Sequence, residues 1–338
     1  MKVLLISTGD IVGGAARATY RQHEALRRAG VDSTMFVGFK QSDDHTVVGP
    51  DTSLRKIWRR LAARGDQWPR LLLKSRNPLL SPAWIPTRSV AHALRHAPDV
   101  VNLHWTCGGF VNSGSLSLLN GTPTVWTLHD MWAFCGMEHY SDDLRWRDGY
   151  TSKNRPRDEY GLDLNRWAWE RKRRAWRSPM HIVAPSRWLE DCVRRSALMR
   201  NWPVTTIPNA IDTEMWRPIG KTQAREILGL SADCPLVAFG ATHGGDDPRK
   251  GFDLLRGSLE SLRGRVSRMQ LVVFGGPRSQ GSLNLGFPAH FLGKLSDDLS
   301  LRILYSAVDA ILIPSRHDNL PNVGLEALAC ATPVVAFD

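Results

Sequence analysis

Apolar positions along this chain come in short runs separated by polar stretches. The segments "KVLLIS" (2–7), "VDSTMFVG" (31–38), "DVVNLHW" (99–105), "TPTVWTLHD" (122–130), "MHIVAPS" (180–186) and "VTTIPN" (204–209) are rich in branched residues, as expected of strands buried on both faces. After the first run comes a glycine-containing turn and then a helical pattern. That pattern sets Ala15, Ala18, Gln22, Ala25 and Ala29 on one stripe, with Gly30 as its stop. Strands that alternate with helical stretches predict parallel β-α-β units in an open, doubly wound sheet. A second series of the same kind follows: "PLVAFGA" (235–241), "MQLVVFGG" (269–276), "HFLGKL" (290–295), "DAILIPS" (309–315) and "TPVVAFD" (332–338). The architecture is therefore expected twice, in domains 1–215 and 216–338. A hinge falls at 212–222 inside the Pro- and Gly-containing passage "NAIDTEMWRPIGKTQAREILGL".

The length of 338 residues suits two domains, each with its own core. No run approaches the roughly 18 apolar residues of a membrane-spanning helix. The N-terminus passes from its apolar run straight into a polar helix without a small-residue cleavage site, so it reads as a strand and not as a signal peptide. The five cysteines (107, 135, 192, 234, 330) are scattered and include no C-x-x-C pair, which disfavours a disulfide framework or a zinc knuckle and fits a reducing cytoplasm.

Charge changes this picture more than composition does. The net charge is +11, but residues 1–200 carry 31 Lys/Arg against 19 Asp/Glu, whereas residues 201–338 carry 13 against 14. All 13 tryptophans lie at or before Trp216. Two segments, "RKIWRRLAARGDQWPRLLLKSR" and "NRWAWERKRRAWRS", mix cations with tryptophan over helical lengths, the composition of a surface that sits on anionic headgroups. Solvated helices with inward tryptophans are the other reading of the same residues.

Ligands of open parallel sheets bind beyond the carboxyl ends of the strands, so the loops there hold the candidate chemistry. "GDIVGG" (9–14) lets backbone approach a ligand and opens a helix whose amides favour an anion. His104 and His129 each close a strand, where an imidazole can bond a sugar hydroxyl or a phosphate. Arg249 and Lys250 in "DDPRKGFDLL" could neutralise a diphosphate leaving group. In "RHDNLPNVGLEALACA" a loop bears Asp318, and a helix beginning just after Pro321 bears Glu326 about one turn in. Amides there suit phosphate, and the carboxylates suit ribose and sugar hydroxyls.

The acid pair with seven residues between, followed by "EALACATPVVA", resembles the E-x7-E signature of glycosyltransferase family 4. "GGAARATYRQHEAL", "VWTLHDMWAFCGMEHY", "VAPSRWLEDCV", "IPNAIDTEMWRP" and "DPRKGFDLL" occur in the order found in bacterial exopolysaccharide and O-antigen glycosyltransferases. The resemblance implies the GT-B fold, with two Rossmann-like doubly wound parallel-sheet domains facing a cleft. It also implies retaining, metal-independent transfer of a sugar from a nucleotide-diphosphate sugar to a saccharide or lipid-linked acceptor in surface polysaccharide synthesis. Glu326 would hold the ribose, and Asp318 would lie against the donor sugar. Asn322, Val323 and Gly324 would offer amides, Lys250 would bind the diphosphate, and Gly13 and Gly14 would close over it. His129 would reach the donor sugar, and Arg249 would assist Lys250. No cofactor is expected and no D-x-D pair is present. The basic first half then predicts a cytoplasmic protein peripheral to an anionic membrane surface, with no nucleic-acid partner.

Three departures from the family stand out. Asp318 occupies a place where glutamate is common. The usual arginine before the diphosphate lysine is absent, its place reading "THGGDD". The cysteine cluster that relatives often carry after the "HY" step is missing from "HYSDDLRWRDGY". Two other functional classes fit parts of the pattern: a nucleotide-sugar 2-epimerase of related fold, and a basic nucleic-acid binder. A second Rossmann-like domain also normally continues past "VVAFD", so the C-terminal domain is expected to be incomplete.

Overall fold

The computed structural model describes residues 1–337 except 76, 78, 241–246, 277–284 and 296. The chain forms two compact units, Met1–Ala210 and Ile211–Asp338. Trp216, 1% exposed, sits in the second core beside Met215 and Ile211, which draws the start of the expected hinge into the second unit.

In the first unit the strands are β1 (Lys2–Gly9), β2 (Asp32–Phe39), β3 (Val47–Val48), β5 (Val100–Leu103), β6 (Thr124–Thr127), β8 (His181–Ala184) and β9 (Val204–Thr206). They form one parallel sheet in the order β3-β2-β1-β5-β6-β8-β9. Its helices are α1 (Gly14–Arg28), α2 (Ser53–Asp66), α3 (Ser89–Ala93), α4 (Arg145–Asp148), α5 (Leu164–Ala175) and α6 (Arg187–Arg195). A small antiparallel pair, β4 (Leu73–Lys74) with β7 (Tyr160–Gly161), lies outside the main sheet. In the second unit β10 (Leu236–Gly240), β11 (Gln270–Phe274), β12 (Ala289–Gly293), β13 (Ala310–Ile313) and β14 (Val334–Ala336) form a parallel sheet ordered β12-β11-β10-β13-β14. Its helices are α7 (Lys221–Leu228), α8 (Phe252–Leu262), α9 (Asp298–Ala307) and α10 (Asn322–Ala329). In both sheets the strand order reverses beside the first strand, between β1 and β5 and between β10 and β13, which is where such sheets leave a crevice.

Helix α1 ends as expected: Gly30 has φ 79°, and the Val31 amide donates to Leu26 O at 2.9 Å. Its buried stripe differs from the alanine stripe, however. Ala16, Ala18, Thr19 and His23 are buried, while Ala25 and Ala29 are exposed. The helix can turn polar groups inward because they are satisfied there. His23 bonds the Ser33 and Thr46 hydroxyls, each at 2.8 Å, and Thr19 donates to Ala15 O.

The two basic, tryptophan-bearing segments behave differently. Helix α5 packs Trp169 inward, with Trp176 just beyond its end in the core, so this segment is a packed helix. Helix α2 and the turn after it do the reverse and expose Leu54, Ile57, Trp58, Leu61, Trp68, Leu71 and Leu72.

The segment between β6 and α5, where relatives often carry a cysteine cluster, is pinned here by charge. Arg145, buried, donates to Glu159 (2.8 Å), Asp143 (2.9 Å) and Glu138 (3.3 Å). Burial opposes the charge on Arg145, but these carboxylates hold it protonated above its ordinary range, whereas burial pushes Glu138 up to about 7. The ammonium of Lys172 is caged by Trp132 O, Cys135 O and Gly136 O, with its Nζ 3.7 Å from the Trp132 ring centre.

Candidate functional site

In the second unit the site grows from the crevice between β10 and β13, which pair through Val237–Ala310, Ala238–Ile311 and Phe239–Leu312. Beyond β10, Asp247 caps a short turn at Pro248–Lys250, its carboxylate accepting from the Arg249 amide at 3.1 Å. The same carboxylate takes the Arg249 guanidinium at 2.6 Å, which ties that side chain back to its own loop. Arg249 is thus engaged with Asp247. Of the stretch "THGGDD", only Asp247 lies within the described residues.

Beyond β13 the second loop is fastened to the first. The Arg316 amide donates to Arg249 O at 2.7 Å, and its guanidinium reaches Pro248 O and both oxygens of Asp253. Gly251 makes this approach possible. Its φ is 62°, and a Cβ there would lie 1.9 Å from Pro314 O. Across the joined loops Lys250 Nζ donates to Asp318 Oδ2 at 2.6 Å, with the lysine half-exposed. Two residues 68 apart in sequence, each singled out for the donor, are thus side by side.

Pro321 leads into α10, whose first turn holds Asn322, Val323 and Gly324. Gly324 packs closely on the sheet, since a Cβ would come within 3.2 Å of Ile313 Cδ1. Glu326 faces inward, 2% exposed, and accepts a 2.8 Å hydrogen bond at Oε2 from the hydroxyl of Tyr305, a fully buried residue on α9. Asp318 and Glu326 therefore have different environments: one is paired at the loop surface, the other held within the fold. Tyr305 escaped the sequence reading because nothing in "LRILYSAV" separates it from an ordinary core aromatic.

In the first unit Gly13, with φ 98° and ψ 155°, caps α1, and Gly14 begins it. Only glycine adopts that backbone freely. Asp10, fully buried, holds the loop in place by accepting from the amides of Ile11, Gln41 and Ser42 and from the Ser42 hydroxyl at 2.8–3.1 Å. Burial would raise this carboxyl, but those hydrogen bonds keep it below its ordinary value. Its role was not foreseen; the signal was an aspartate at the end of an apolar strand.

His104 and His129 are hydrogen-bonded to each other, Nδ1 to Nε2 at 3.1 Å. The amide of Asn102 fixes the direction of that bond. Its Nδ2 donates to Leu103 O and Val125 O, which only accept, so Oδ1 is the atom that faces His104 Nε2 (3.1 Å) and Gln22 Nε2 (2.9 Å). His104 therefore carries its proton on Nε2, and its Nδ1 accepts from His129 Nε2–H. His129 is left with an acceptor lone pair on Nδ1. Burial pushes His104 well below its ordinary value and His129 down to about 4, the latter against the pull of Asp130, so both rings are neutral at pH 7. Asp130 pairs elsewhere: it accepts from His139 Nδ1 at 2.6 Å and from Trp105 Nε1 at 3.1 Å.

Among the described residues no group of three or more His, Cys, Asp and Glu is placed to hold a metal ion, and no helix is long and apolar enough to cross a membrane.

Comparison with known proteins now adds to this geometry. Among solved structures, sucrose-phosphate synthase from Thermosynechococcus elongatus aligns over 99% of this chain and 80% of its own, with TM-score 0.65 and 20% identity. HepE of Anabaena, solved with UDP-glucose, aligns over the same shares with TM-score 0.59 and 17% identity. These likenesses show the fold, a two-domain α/β fold of GT-B type. Among curated sequences, the D-inositol 3-phosphate glycosyltransferase of Kineococcus radiotolerans is 34% identical over 149 residues, 39% of this chain and 34% of that protein. That of Frankia alni is 36% identical over 152 residues, 39% of this chain and 36% of its own. The chain thus matches about a third of the length of these relatives. The model for "Glycosyl transferases group 1" matches residues 235–338, and that for "Glycosyltransferase Family 4" matches residues 12–215, more than half of the sequence. On this match the chain belongs to glycosyltransferase family 4.

Proposed function

We propose that the protein transfers a sugar, with retention and without a catalytic metal, from a nucleoside-diphosphate sugar to a saccharide or lipid-linked acceptor in bacterial surface polysaccharide synthesis. The observation that carries this reading is the Lys250–Asp318 pair at the β10/β13 crevice, where a cation for a diphosphate and a carboxylate for a sugar hydroxyl are already joined. In the reaction the bond from the anomeric carbon to the diphosphate oxygen breaks and its electron pair leaves with the diphosphate. The acceptor hydroxyl oxygen forms the new bond on the same face, and its proton passes to the departing diphosphate oxygen. Lys250 and the first-turn amides of α10, at Asn322, Val323 and Gly324, stabilise the charge that grows on the leaving group. Glu326, oriented by Tyr305, accepts from the ribose hydroxyls, and Asp318 accepts from the sugar. For the first unit we propose that Gly13 and Gly14 offer backbone to a phosphate and that His129 accepts a hydrogen bond at Nδ1 from a sugar hydroxyl.

Helix α2, whose exposed apolar side chains alternate with cations, supports the proposal that the protein is peripheral to the inner face of the cell membrane. The test is a thermal-shift screen of nucleoside diphosphates and sugar nucleotides, followed by product analysis with the responding donor and membrane-extracted acceptors. Stabilisation by one nucleotide class and an α-configured product from an α-configured donor are expected. No response to any nucleotide overturns the reading, and an inverted product overturns retention.

A further inference from the structure

Helix α2 forms one wall of a cavity of about 580 Å³ on the first unit, bounded also by β2, β3 and α3. Its rim gathers three cations, Arg55, Arg88 and Arg95, with the imidazoles of His92 and His96 beside them. The compensating charge is small. Asp51 accepts from Arg55 at 2.8 Å, and among the described residues no carboxylate lies within ion-pair distance of Arg88 or Arg95. His92 registers the imbalance, since burial and then the charges of Arg95, Arg55 and Arg88 hold it below its ordinary value.

A buried cation backs the rim. Arg59 is 6% exposed and spends its terminal nitrogens on Gly108 O and Gly109 O, while its Nε has no partner among the described residues. The guanidinium lies 5.1 Å from the Phe39 ring centre and 5.3 Å from that of Phe110, and burial pushes it down to about 10. A protein keeps such a charge at a desolvation cost, and an anion in the adjoining cavity lowers that cost. The remaining lining combines the apolar or aromatic Phe36, Trp58 and Phe110 with the hydroxyl residues Thr87 and Ser89, and the volume exceeds that of a bare phosphate.

We propose that this cavity binds the phosphate headgroup of an anionic phospholipid, with α2 as the element that brings it to the bilayer. The helix supports both halves of the proposal. It sends Arg55, Trp58 and Arg59 to the cavity, and it exposes Leu54 (79%), Ile57 (52%) and Leu61 (53%) at helical spacing, with Lys56 and Arg60 between them. The turn that follows adds Trp68 (72%) and Leu71 (80%). A bilayer that covers this stripe presents phosphates at the depth of the rim, and a soluble phosphate ester leaves the stripe in water. The site deepens the membrane part of the proposed function. It is tested without donor or acceptor, so its failure leaves sugar transfer standing.

The experiment is sedimentation of the protein with vesicles of phosphatidylcholine alone or with added phosphatidylglycerol, alongside calorimetric titration with glycerol 3-phosphate. Partitioning onto the anionic vesicles is expected to exceed that onto neutral ones by about tenfold or more, and to fall by about tenfold in the double variant Arg88→Ala/Arg95→Ala. Leu54→Ser/Leu61→Ser is expected to weaken vesicle binding and leave the glycerol 3-phosphate titration unchanged. The control is Arg173→Ala/Arg174→Ala, which removes the same charge from exposed positions on α5. An equal loss in this control overturns the cavity, because diffuse charge then suffices. Binding of glycerol 3-phosphate that depends on Arg88 and Arg95, with no vesicle binding, overturns the lipid source. No binding of either probe overturns the proposal.

Discussion

Lys250 Nζ and Asp318 Oδ2 are 2.6 Å apart, although one follows β10 and the other β13. The pair is half-exposed at its lysine end, so it adds little to stability, at most about 0.5 kcal/mol. Its value lies in placement. Each partner holds the other's side chain at the crevice, where the proposed diphosphate would meet an ammonium already in position.

Lys250→Met is therefore expected to leave the unfolding midpoint nearly unchanged while lowering kcat by about a hundredfold or more. Steady-state kinetics with a saturating donor, beside a denaturation curve, checks both parts. Unaltered turnover removes Lys250 from the diphosphate.

Tyr305→Phe removes the hydroxyl that donates to Glu326. If that carboxylate grips ribose, loss of its orienting bond should weaken nucleotide binding by about tenfold, the worth of one hydrogen bond to a charged group. Glu326→Gln should weaken it further. Titration calorimetry with the free nucleotide reads this directly, and equal affinities in all three proteins reject the ribose role.

Two glycines of the second unit should respond to alanine with opposite signs. Gly251→Ala combines a left-handed backbone with a clash against Pro314 O and should cost about 3 kcal/mol. Gly257 lies inside α8 with open space around its would-be Cβ, so Gly257→Ala should stabilise by about 0.5–1 kcal/mol. Chemical denaturation of each variant measures both.

Stability should also fall on mild acidification. His129 is held down to about 4 against an ordinary 6.5, so the unfolded chain binds protons first. The stabilisation is present above 6.5 and is lost as the pH falls toward 4, up to about 3 kcal/mol in all. His129→Asn should flatten the curve of unfolding free energy between those values; an unchanged slope assigns it to other groups.

The strands and the crevice loops were legible in the sequence because branched apolar runs and glycine-bearing turns are local signals. The same holds for the nearness of Asp318 to the helix of Glu326. What was hidden depended on groups far apart in the chain. Nothing in "GGAARATYRQHEALRRAG" announces that α1 turns His23 inward, since the hydroxyls that satisfy it come from Ser33 and Thr46. The pinning of the segment after β6 by Arg145 and Lys172 needs partners from α5 and from the loop before it. The two tryptophan-rich basic segments have similar compositions, yet one buries Trp169 and Trp176 and leaves only Trp167 exposed, whereas the other exposes Trp58, Trp68 and most of its leucines, a difference set by the surroundings each helix meets in the fold.

The row from Gln22 through Asn102 and His104 to His129 has an implication for heredity as well as chemistry. Its members share a single polarity, set by which way one amide lies. A replacement at Asn102 can reverse that polarity and so turn His129 Nδ1 from acceptor to donor. Substitutions along this row should be strongly epistatic. If His129 meets the sugar, a genetic screen for altered sugar preference should find hits in the middle of β5, at Asn102, as well as at His129 itself.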